Sequence, residues 1–172
     1  NLCFESLDGI VKHNGPIDKK NKTIRLFWDE NIALGKRNYN DYLSLFPSLE
    51  AQVSSLSDDI AYCAHDIADG HEAEILSYAN LKSSPLFGEF LVSEKPIEAP
   101  ESLSVAQACR DLIRYLVNDL IRQTHKNIRY SQKNASDIKN SNVIAFSSGT
   151  LKKVVELKKY LFKNLYRSKE IN

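Results

Sequence analysis

Residues 48–70 read SLEAQVSSLSDDIAYCAHDIADG, and this stretch decides the fold. Its apolar residues recur every three or four positions from Leu49 to Ile67, which is the spacing of one buried face of an α-helix. Ser48 is a favourable N-cap residue, and Gly70 predicts the end of the helix. We therefore predict one long amphipathic helix over these residues.

The remaining apolar patterns also have helical spacing, so we predict an all-α fold. A short helix is expected over residues 4–13, stopped by Gly15 and Pro16, and a polar surface excursion is expected over residues 17–46. Two short helices are expected within residues 75–93, where a Ser-Ser-Pro step separates them.

A second long helix is predicted to begin at Ser102 or Ser104. A second set of apolar residues widens its main stripe, which predicts burial on two sides. The main stripe comprises Val105, Cys109, Leu112, Leu116 and Leu120, and the second set is Ile113, Val117 and Ile121. A last helix is predicted over about residues 150–167, with Leu151, Val154, Val155, Leu161, Phe162 and Leu165 buried.

Composition is that of a soluble globular protein, with 42% hydrophobic and 26% charged residues in a chain of 172. No apolar run approaches the roughly 20 residues that a membrane helix needs. The 3 cysteines show no metal-ligand spacing, which predicts reduced thiols, a cytoplasmic location and no membrane partner. Because the chain contains no Met and starts inside a predicted helix, we expect it to be cut from a longer protein.

The net charge of +1 is divided unevenly along the chain. Residues 1–102 carry 9 Lys and Arg against 17 Asp and Glu, whereas residues 103–172 carry 14 against 5. Such an asymmetry suits an acidic metal site that faces a basic anion site, or two halves that attract each other. Ordinary solvated helix faces would give the same counts, so composition leaves these alternatives open.

The long helix at residues 48–70 lies in an acidic interval. No Lys or Arg occurs between Arg37 and Lys82, and the interval holds eight carboxylates. Like charges one helical turn apart repel each other, and Asp is a poor residue for a helix interior. Such a sequence is tolerated where a cation or hydrogen-bond donors meet the carboxylates.

Three polar residues share one side of this helix. At about 100° per residue, Asp58, Tyr62 and Asp66 lie opposite Ile60. The two carboxylates are separated by about 12 Å of helix rise, roughly the extent of a nucleoside phosphate. One carboxylate suits a hard cation, the ring offers a flat face for a sugar, and the other carboxylate can accept a hydrogen bond. The solvent-facing side of any amphipathic helix gives the same pattern, so spacing alone leaves both interpretations open.

Several strings resemble one protein family. SLEAQV at 48–53, DDIAY at 58–62, HD at 65–66 and DG at 69–70 together resemble the signature of bacterial deoxyguanosine triphosphate triphosphohydrolase-like proteins, members of the HD phosphohydrolase superfamily. KHNGP at 12–16 resembles an upstream string of these proteins, and VIAF at 143–146, LKKYLF at 157–162 and YR at 166–167 resemble their phosphohydrolase-associated segment. The matches follow in order over nearly the whole chain.

This resemblance implies an all-helical HD-type fold and hydrolysis of a deoxynucleoside triphosphate, such as dGTP, to deoxynucleoside and triphosphate. It implies a divalent metal ion such as Mg²⁺ or Mn²⁺, for which Asp58 corresponds to the last metal ligand. Tyr62 corresponds to a tyrosine that packs against the deoxyribose, where a 2′-hydroxyl would clash, and Asp66 to a carboxylate near the 3′-hydroxyl. The implied reaction is metal-assisted attack of water on the α-phosphorus.

The chain also departs from the family pattern. The family's first His and its metal-binding His-Asp pair belong upstream of Asn1, and the pair His65-Asp66, which follows Asp58, is not that pair. The resemblance therefore implies a fragment with an incomplete active site that is itself inactive. It divides the chain into the C-terminal part of an HD domain, residues 1–95, and an associated helical region, residues 96–172.

Arg110 and Arg114, one turn apart on the second long helix, are candidates for meeting the triphosphate charge, and solvated helix charges are the alternative. The implied partners are a deoxynucleoside triphosphate and further copies of the chain in a homo-oligomer. Two other functions stay open. One is a different HD-superfamily phosphohydrolase, and the other is a noncatalytic helical module that binds a nucleotide or single-stranded nucleic acid.

Overall fold

A computed structural model describes residues 4–18, 43–91, 100–131 and 141–167. Regular secondary structure in these ranges is entirely helical, which confirms the all-α class. The helices are α1 (Phe4–Val11), α2 (Leu49–Glu72), α3 (Tyr78–Lys82), α4 (Phe87–Leu91), α5 (Glu101–Ser131) and α6 (Ser148–Leu161), and a π-helical turn (Phe162–Tyr166) continues α6. None of these helices combines the length and the apolar character needed to cross a membrane. Most of the predicted excursion over residues 17–46 lies outside the described residues.

The chain divides into two compact units. The first consists of Asn1–Ser57 with Thr124–Ala145, and the second of Asp58–Gln123 with Phe146–Asn172. Both long helices, α2 and α5, contribute residues to each unit.

In the first unit, α1 packs closely on the first turns of α2. A Cβ atom added to Gly9 would lie 3.0 Å from the Cβ of Ala51, so glycine allows this approach. Gln52 is buried, donates to the Pro47 carbonyl at 2.9 Å and accepts from the backbone N–H of Ile144 at 3.2 Å. A buried ion pair joins Lys12, which directly follows α1, to Asp8 within α1 at 2.9 Å.

The predicted buried stripe of α2 is confirmed only in its later part. Ile60, Cys63, Ala64 and Ile67 are buried, whereas Leu49 and Val53 are 36% and 44% exposed. The prediction was wrong for the first turns because the covered side there is the one that carries Ala51, which α1 approaches, and Gln52, which bonds to the backbone of Ile144. Gly70 does not end the helix, which continues to Glu72. Instead, its missing side chain leaves room for Leu76 and Leu165, whose Cδ1 atoms would lie 2.7 and 3.0 Å from an added Cβ.

The core of the second unit is formed by the later part of α2 together with α3, α4, α5 and α6. The Cys109 thiol on α5 donates to the Ala64 carbonyl on α2 at 3.5 Å. Between α5 and α6, Tyr115 shares a hydrogen bond with Thr150 at 3.1 Å, and the Asp119 carboxylate accepts from the Ser147 N–H at 2.8 Å. The buried residues include Ile60, Ile67, Leu81, Phe87, Leu112, Leu116, Val154, Leu157 and Leu161.

Helix α5 confirms its main predicted stripe and contradicts the second set. Val105, Cys109, Leu112, Leu116 and Leu120 are all buried. Ile113, Val117 and Ile121 are exposed in the described part of the chain, because α6 contacts the opposite flank of α5, at Tyr115 and Asp119. The helix begins at Glu101, slightly before the predicted start, and the backbone N–H of Ser104 already donates to the Pro100 carbonyl at 3.2 Å.

The last predicted helix is confirmed, but only half of its predicted buried set is correct. Val154, Leu161 and Leu165 are buried as expected, together with Thr150 and Leu157. Leu151, Val155 and Phe162 are exposed, because the side of α6 that carries Thr150 and Leu157 is the one that meets the core. The chain leaves regular α-helical geometry after Leu161 and forms the π-helical turn.

Candidate functional site

The three predicted site residues on α2 lie in the second unit, on the side of the helix opposite the buried Ile60 and Ile67. Asp58 is exposed, Tyr62 is 56% exposed and Asp66 is half-buried. His65, on the same side, is exposed as well. The side chains are therefore available to a ligand, and the packing of α2 orients them through the apolar residues behind them.

Asp66 is held by a residue from the far end of the chain. The hydroxyl of Tyr166, 100 positions away, donates to Asp66 Oδ2 at 2.6 Å. This hydrogen bond, with smaller contributions from burial and from the negative charge of Asp66, raises the pKa of Tyr166 to about 12. The phenol therefore stays protonated at neutral pH and acts as a donor to the carboxylate.

Three aromatic rings lie around this contact. Phe162 and Tyr166 meet with ring centroids 6.5 Å apart, and the guanidinium carbon of Arg167 lies 4.8 Å from the centroid of Phe162. Tyr62 is close enough to contribute to the pKa of Tyr166. We call Tyr62, Phe162 and Tyr166 the aromatic cluster. Each of the three residues is about half exposed, so the cluster offers aromatic surface beside a carboxylate.

A second contact joins α6 to α2 next to Asp58. The ammonium group of Lys158 lies 2.5 Å from Asp59 Oδ1, and both side chains are about 40% exposed. An exposed pair of this kind contributes little to stability. It does bring a cation to the residue that follows Asp58, which sequence spacing did not predict.

The two predicted phosphate-binding arginines make their hydrogen bonds within α5. Arg110 donates to the Gln107 side chain at 2.7 and 3.1 Å, and Arg114 pairs with Asp111 at 2.8 Å. Both arginines are exposed. Their polar contacts thus do not connect them to Asp58, Tyr62 or Asp66.

The described residues do not form a metal centre. No group of three or more His, Cys, Asp or Glu side chains in these ranges could hold an ion. Asp58 offers one carboxylate, whereas Mg²⁺ and Ca²⁺ take six or more oxygen ligands, of which water supplies only some. The residues on hand therefore do not fit a complete metal site.

The buried cysteines are poorly suited to act as nucleophiles. Cys63 and Cys109 are free thiols inside the second unit. Burial raises the pKa of each thiol to about 11, so the reactive thiolate is scarce at neutral pH. This agrees with the prediction of reduced thiols. Cys3 lies outside the described residues.

The first unit contains an open groove of about 610 Å³ between α1 and α2. It is lined by Ser6, Gly9, Ile10, His13, Ser48, Glu50, Ala51 and Ser54. Hydrogen bonds from its own backbone N–H and from Ser48 lower the pKa of Glu50, so this carboxylate is ionised at neutral pH. None of the residues that line this groove is one of the predicted site residues Asp58, Tyr62 and Asp66.

Sequence reasoning missed Tyr166, Phe162 and Lys158 as neighbours of the row on α2. Tyr166 and Phe162 belong to strings that resemble the family, and that resemblance is the signal that could have drawn attention to them. Their proximity to α2 depends on how α6 packs. Helical periodicity within α6 contains no information about that packing.

Nearly the whole chain is similar to curated bacterial proteins named deoxyguanosinetriphosphate triphosphohydrolase-like protein. The relative from Neorickettsia sennetsu is 38% identical over 175 residues, which cover 96% of this chain and 42% of the relative. Those from Bradyrhizobium diazoefficiens and Caulobacter vibrioides are 34% and 33% identical, over 99% and 100% of this chain and 45% and 44% of their own lengths. The chain thus spans less than half the length of these relatives. No protein-family model matches it.

Proposed function

Because this chain belongs to the family of deoxyguanosinetriphosphate triphosphohydrolase-like proteins, we propose that it forms part of a metal-dependent hydrolase that cleaves dGTP or a similar deoxynucleoside triphosphate to deoxynucleoside and triphosphate. The observation that carries the proposal is the half-buried carboxylate of Asp66, held at 2.6 Å by Tyr166 beside the exposed ring of Tyr62.

The aromatic cluster and the carboxylate of Asp66 together are suited to bind the sugar of a nucleotide. A half-exposed ring offers a flat surface on which a deoxyribose can lie, and an additional 2′-hydroxyl would be crowded by close packing against Tyr62. A carboxylate has more acceptor sites than the one that Tyr166 uses, so Asp66 can also accept a hydrogen bond from a 3′-hydroxyl. The rings of Phe162 and Tyr166 extend the same surface.

In this proposal Asp58 supplies one ligand to a divalent ion. The other ligands come from elsewhere, because the described residues contain no cluster of three or more metal-binding side chains. We therefore assign no chemical step to residues of this chain and propose that it is inactive alone. For the triphosphate, Arg110 and Arg114 remain the proposed cations, and Lys158 joins them because it lies next to the residue that follows Asp58.

A noncatalytic nucleotide-binding module is the second candidate function. It is favoured by the absence of further metal-binding side chains around Asp58 among the described residues. The aromatic cluster and Asp66 could bind the sugar of a nucleotide without a metal ion. A homo-oligomer, contact with single-stranded nucleic acid and a cytoplasmic location are further proposals. They rest on the family resemblance, on the basic residues after position 102 and on the reduced cysteines.

The test is an assay of triphosphate release from dGTP and from GTP by the protein at the length of its relatives. Asp58→Ala should abolish release, and Asp66→Asn should lower it at least tenfold because a sugar hydroxyl loses an ionised acceptor. Tyr62→Ala should narrow the preference for dGTP over GTP. Glu72→Gln, which alters an exposed carboxylate on the same helix, is the matched control and should behave as wild type. If the three site variants release triphosphate as fast as the Glu72→Gln control, with the same preference for dGTP over GTP, the proposed site is excluded.

A further inference from the structure

Two contacts join the C-terminal end of α6 to α2, and their spacing differs by one residue between the two helices. Lys158 pairs with Asp59, and Tyr166 donates to Asp66. The acceptors are seven residues apart on α2, but the donors are eight residues apart, Lys158 in the last turn of α6 and Tyr166 in the π-helical turn that follows. A regular α-helix on both sides would not satisfy both contacts equally well.

The mismatch can be stated as an angle. Seven residues make about two turns of an α-helix, so Asp59 and Asp66 are only about 20° apart around the axis of α2. Eight residues of uninterrupted α-helix would place Tyr166 about 80° around the axis from Lys158. The hydroxyl of Tyr166 would then point away from the line of carboxylates on α2.

The π-helical turn at Phe162–Tyr166 removes this mismatch. A π-helical turn closes its hydrogen bond over five residues instead of four, so each residue advances by a smaller angle than in an α-helix. The extra residue is thereby absorbed, and Tyr166 returns to the side of Lys158. Leu165 stays 8% exposed and packs over Gly70, which has no side chain to block it.

A side chain stabilises the same turn. The amide of Asn164 donates to the carbonyl of Tyr160, four residues earlier, at 2.8 Å. In a regular α-helix that carbonyl would accept from the backbone N–H of the same residue. A side chain inserted into the ladder at this point is one of the known causes of local departure from α-helical geometry.

We propose that the π-helical turn is a positioning element for the candidate sugar site: it accommodates the one extra residue between Lys158 and Tyr166, and Asn164 holds it, so that Tyr166 reaches Asp66. Tyr166 and Asn164 are then positioning residues that fix the carboxylate of Asp66. The role of that carboxylate toward a sugar rests on the proposed function, whereas the geometry of the turn does not.

The first test measures the phenol of Tyr166 in the 172-residue chain. Tyrosines labelled with ¹³C at Cζ are titrated by NMR, and Tyr166→Phe identifies the signal. In the wild type its pKa is expected at about 12, and the titratable groups of α2 that influence it are Asp66, Tyr62 and Cys63. Asn164→Ala should lower this pKa toward its ordinary value of 10.0, whereas Lys163→Ala, at an exposed neighbour, should leave it unchanged.

Changes in length give the decisive comparison. Deletion of Lys163 brings Lys158 and Tyr166 to a separation of seven positions in sequence, a spacing that a regular α-helix satisfies, so the raised pKa of Tyr166 should persist. Insertion of one Ala after Lys163 adds a second extra residue, and the pKa should fall toward 10.0. Circular dichroism confirms that each variant is folded. Loss of the raised pKa on deletion, or its retention on insertion, would overturn the proposal.

Titration with 2′-deoxyguanosine separates this proposal from the proposed function. A response of the Tyr166 and Tyr62 signals that is lost in Asp66→Asn and in the insertion variant supports both. If the length variants behave as expected but 2′-deoxyguanosine moves neither signal, the turn still positions Tyr166 and the sugar site is wrong. If 2′-deoxyguanosine binds equally to the deletion and insertion variants, the positioning role is wrong.

Discussion

At the scale of single residues, the carboxylates of α2 differ through their surroundings. Asp58 is exposed, Asp59 is paired with Lys158, and Asp66 accepts a hydrogen bond from Tyr166. The partner of Asp59 comes from the end of α6, and the partner of Asp66 from the π-helical turn that continues it. A single helix thus presents an exposed carboxylate, Asp58, next to one paired with a lysine, and a third carboxylate that holds a hydrogen bond about two turns further on.

The buried thiol of Cys63 should make stability depend on alkaline pH. Burial raises its folded-state pKa from 9.0 to about 11, so the folded protein binds this proton more tightly than the unfolded chain does. The resulting stabilisation is fully present below pH 9.0 and is lost as pH rises toward 11. At pH 11 the loss reaches about 2 kcal/mol.

Urea unfolding of the wild type and Cys63→Ala between pH 8 and pH 11 measures this effect. The difference in free energy of unfolding between the two proteins should shrink by about 2 kcal/mol across the range. Other groups that titrate there are common to both proteins and cancel. A difference that stays constant with pH would contradict the raised pKa.

At the scale of elements, Gly70 is explained by the close packing of two leucine side chains on α2, and not by termination of the helix. The residue lies inside α2, where Leu76 and Leu165 occupy the space that a side chain would need. Glycine is a poor helix former, by about 1 kcal/mol relative to Ala. Its presence here therefore reflects the packing of neighbouring segments on α2.

Replacement of Gly70 by Ala should destabilise the protein by about 1–2 kcal/mol, because overpacking against two buried leucines outweighs the gain in helix propensity. Gly149, in the first turn of α6, is the matched control, since an added Cβ would meet nothing within 4 Å. Gly149→Ala should leave stability unchanged or raise it by up to about 1 kcal/mol. Chemical denaturation of both variants checks the prediction, and equal effects would refute it.

At the scale of the whole molecule, the described residues contain the aromatic cluster and Asp66 but no complete metal centre. Asp58 lies on the same side of α2, but no cluster of metal-binding side chains surrounds it in these ranges. The chain spans 42% to 45% of the length of its relatives from Neorickettsia sennetsu and Bradyrhizobium diazoefficiens.

The 172-residue chain should therefore show no specific response to Mn²⁺ or Mg²⁺. One carboxylate binds a divalent ion weakly, so millimolar metal should shift the melting temperature of the wild type and of Asp58→Asn by the same small amount. Differential scanning calorimetry with and without EDTA measures this. A metal-dependent rise in melting temperature that disappears in Asp58→Asn would show that the chain completes a metal site by itself.

The sequence by itself determined the all-α class, the positions of the long helices and the side of α2 that carries Asp58, Tyr62 and Asp66. These features follow from a periodicity of 3.6 residues, which is local and can be read along the chain.

Only the tertiary structure decided which apolar flank of α5 is covered, why Gly70 lies inside a helix, and that Tyr166 meets Asp66 across 100 positions. Such contacts depend on how separate helices pack and on a one-residue change of register at the π-helical turn. Neither has a local signature, because the same periodic pattern fits several packings.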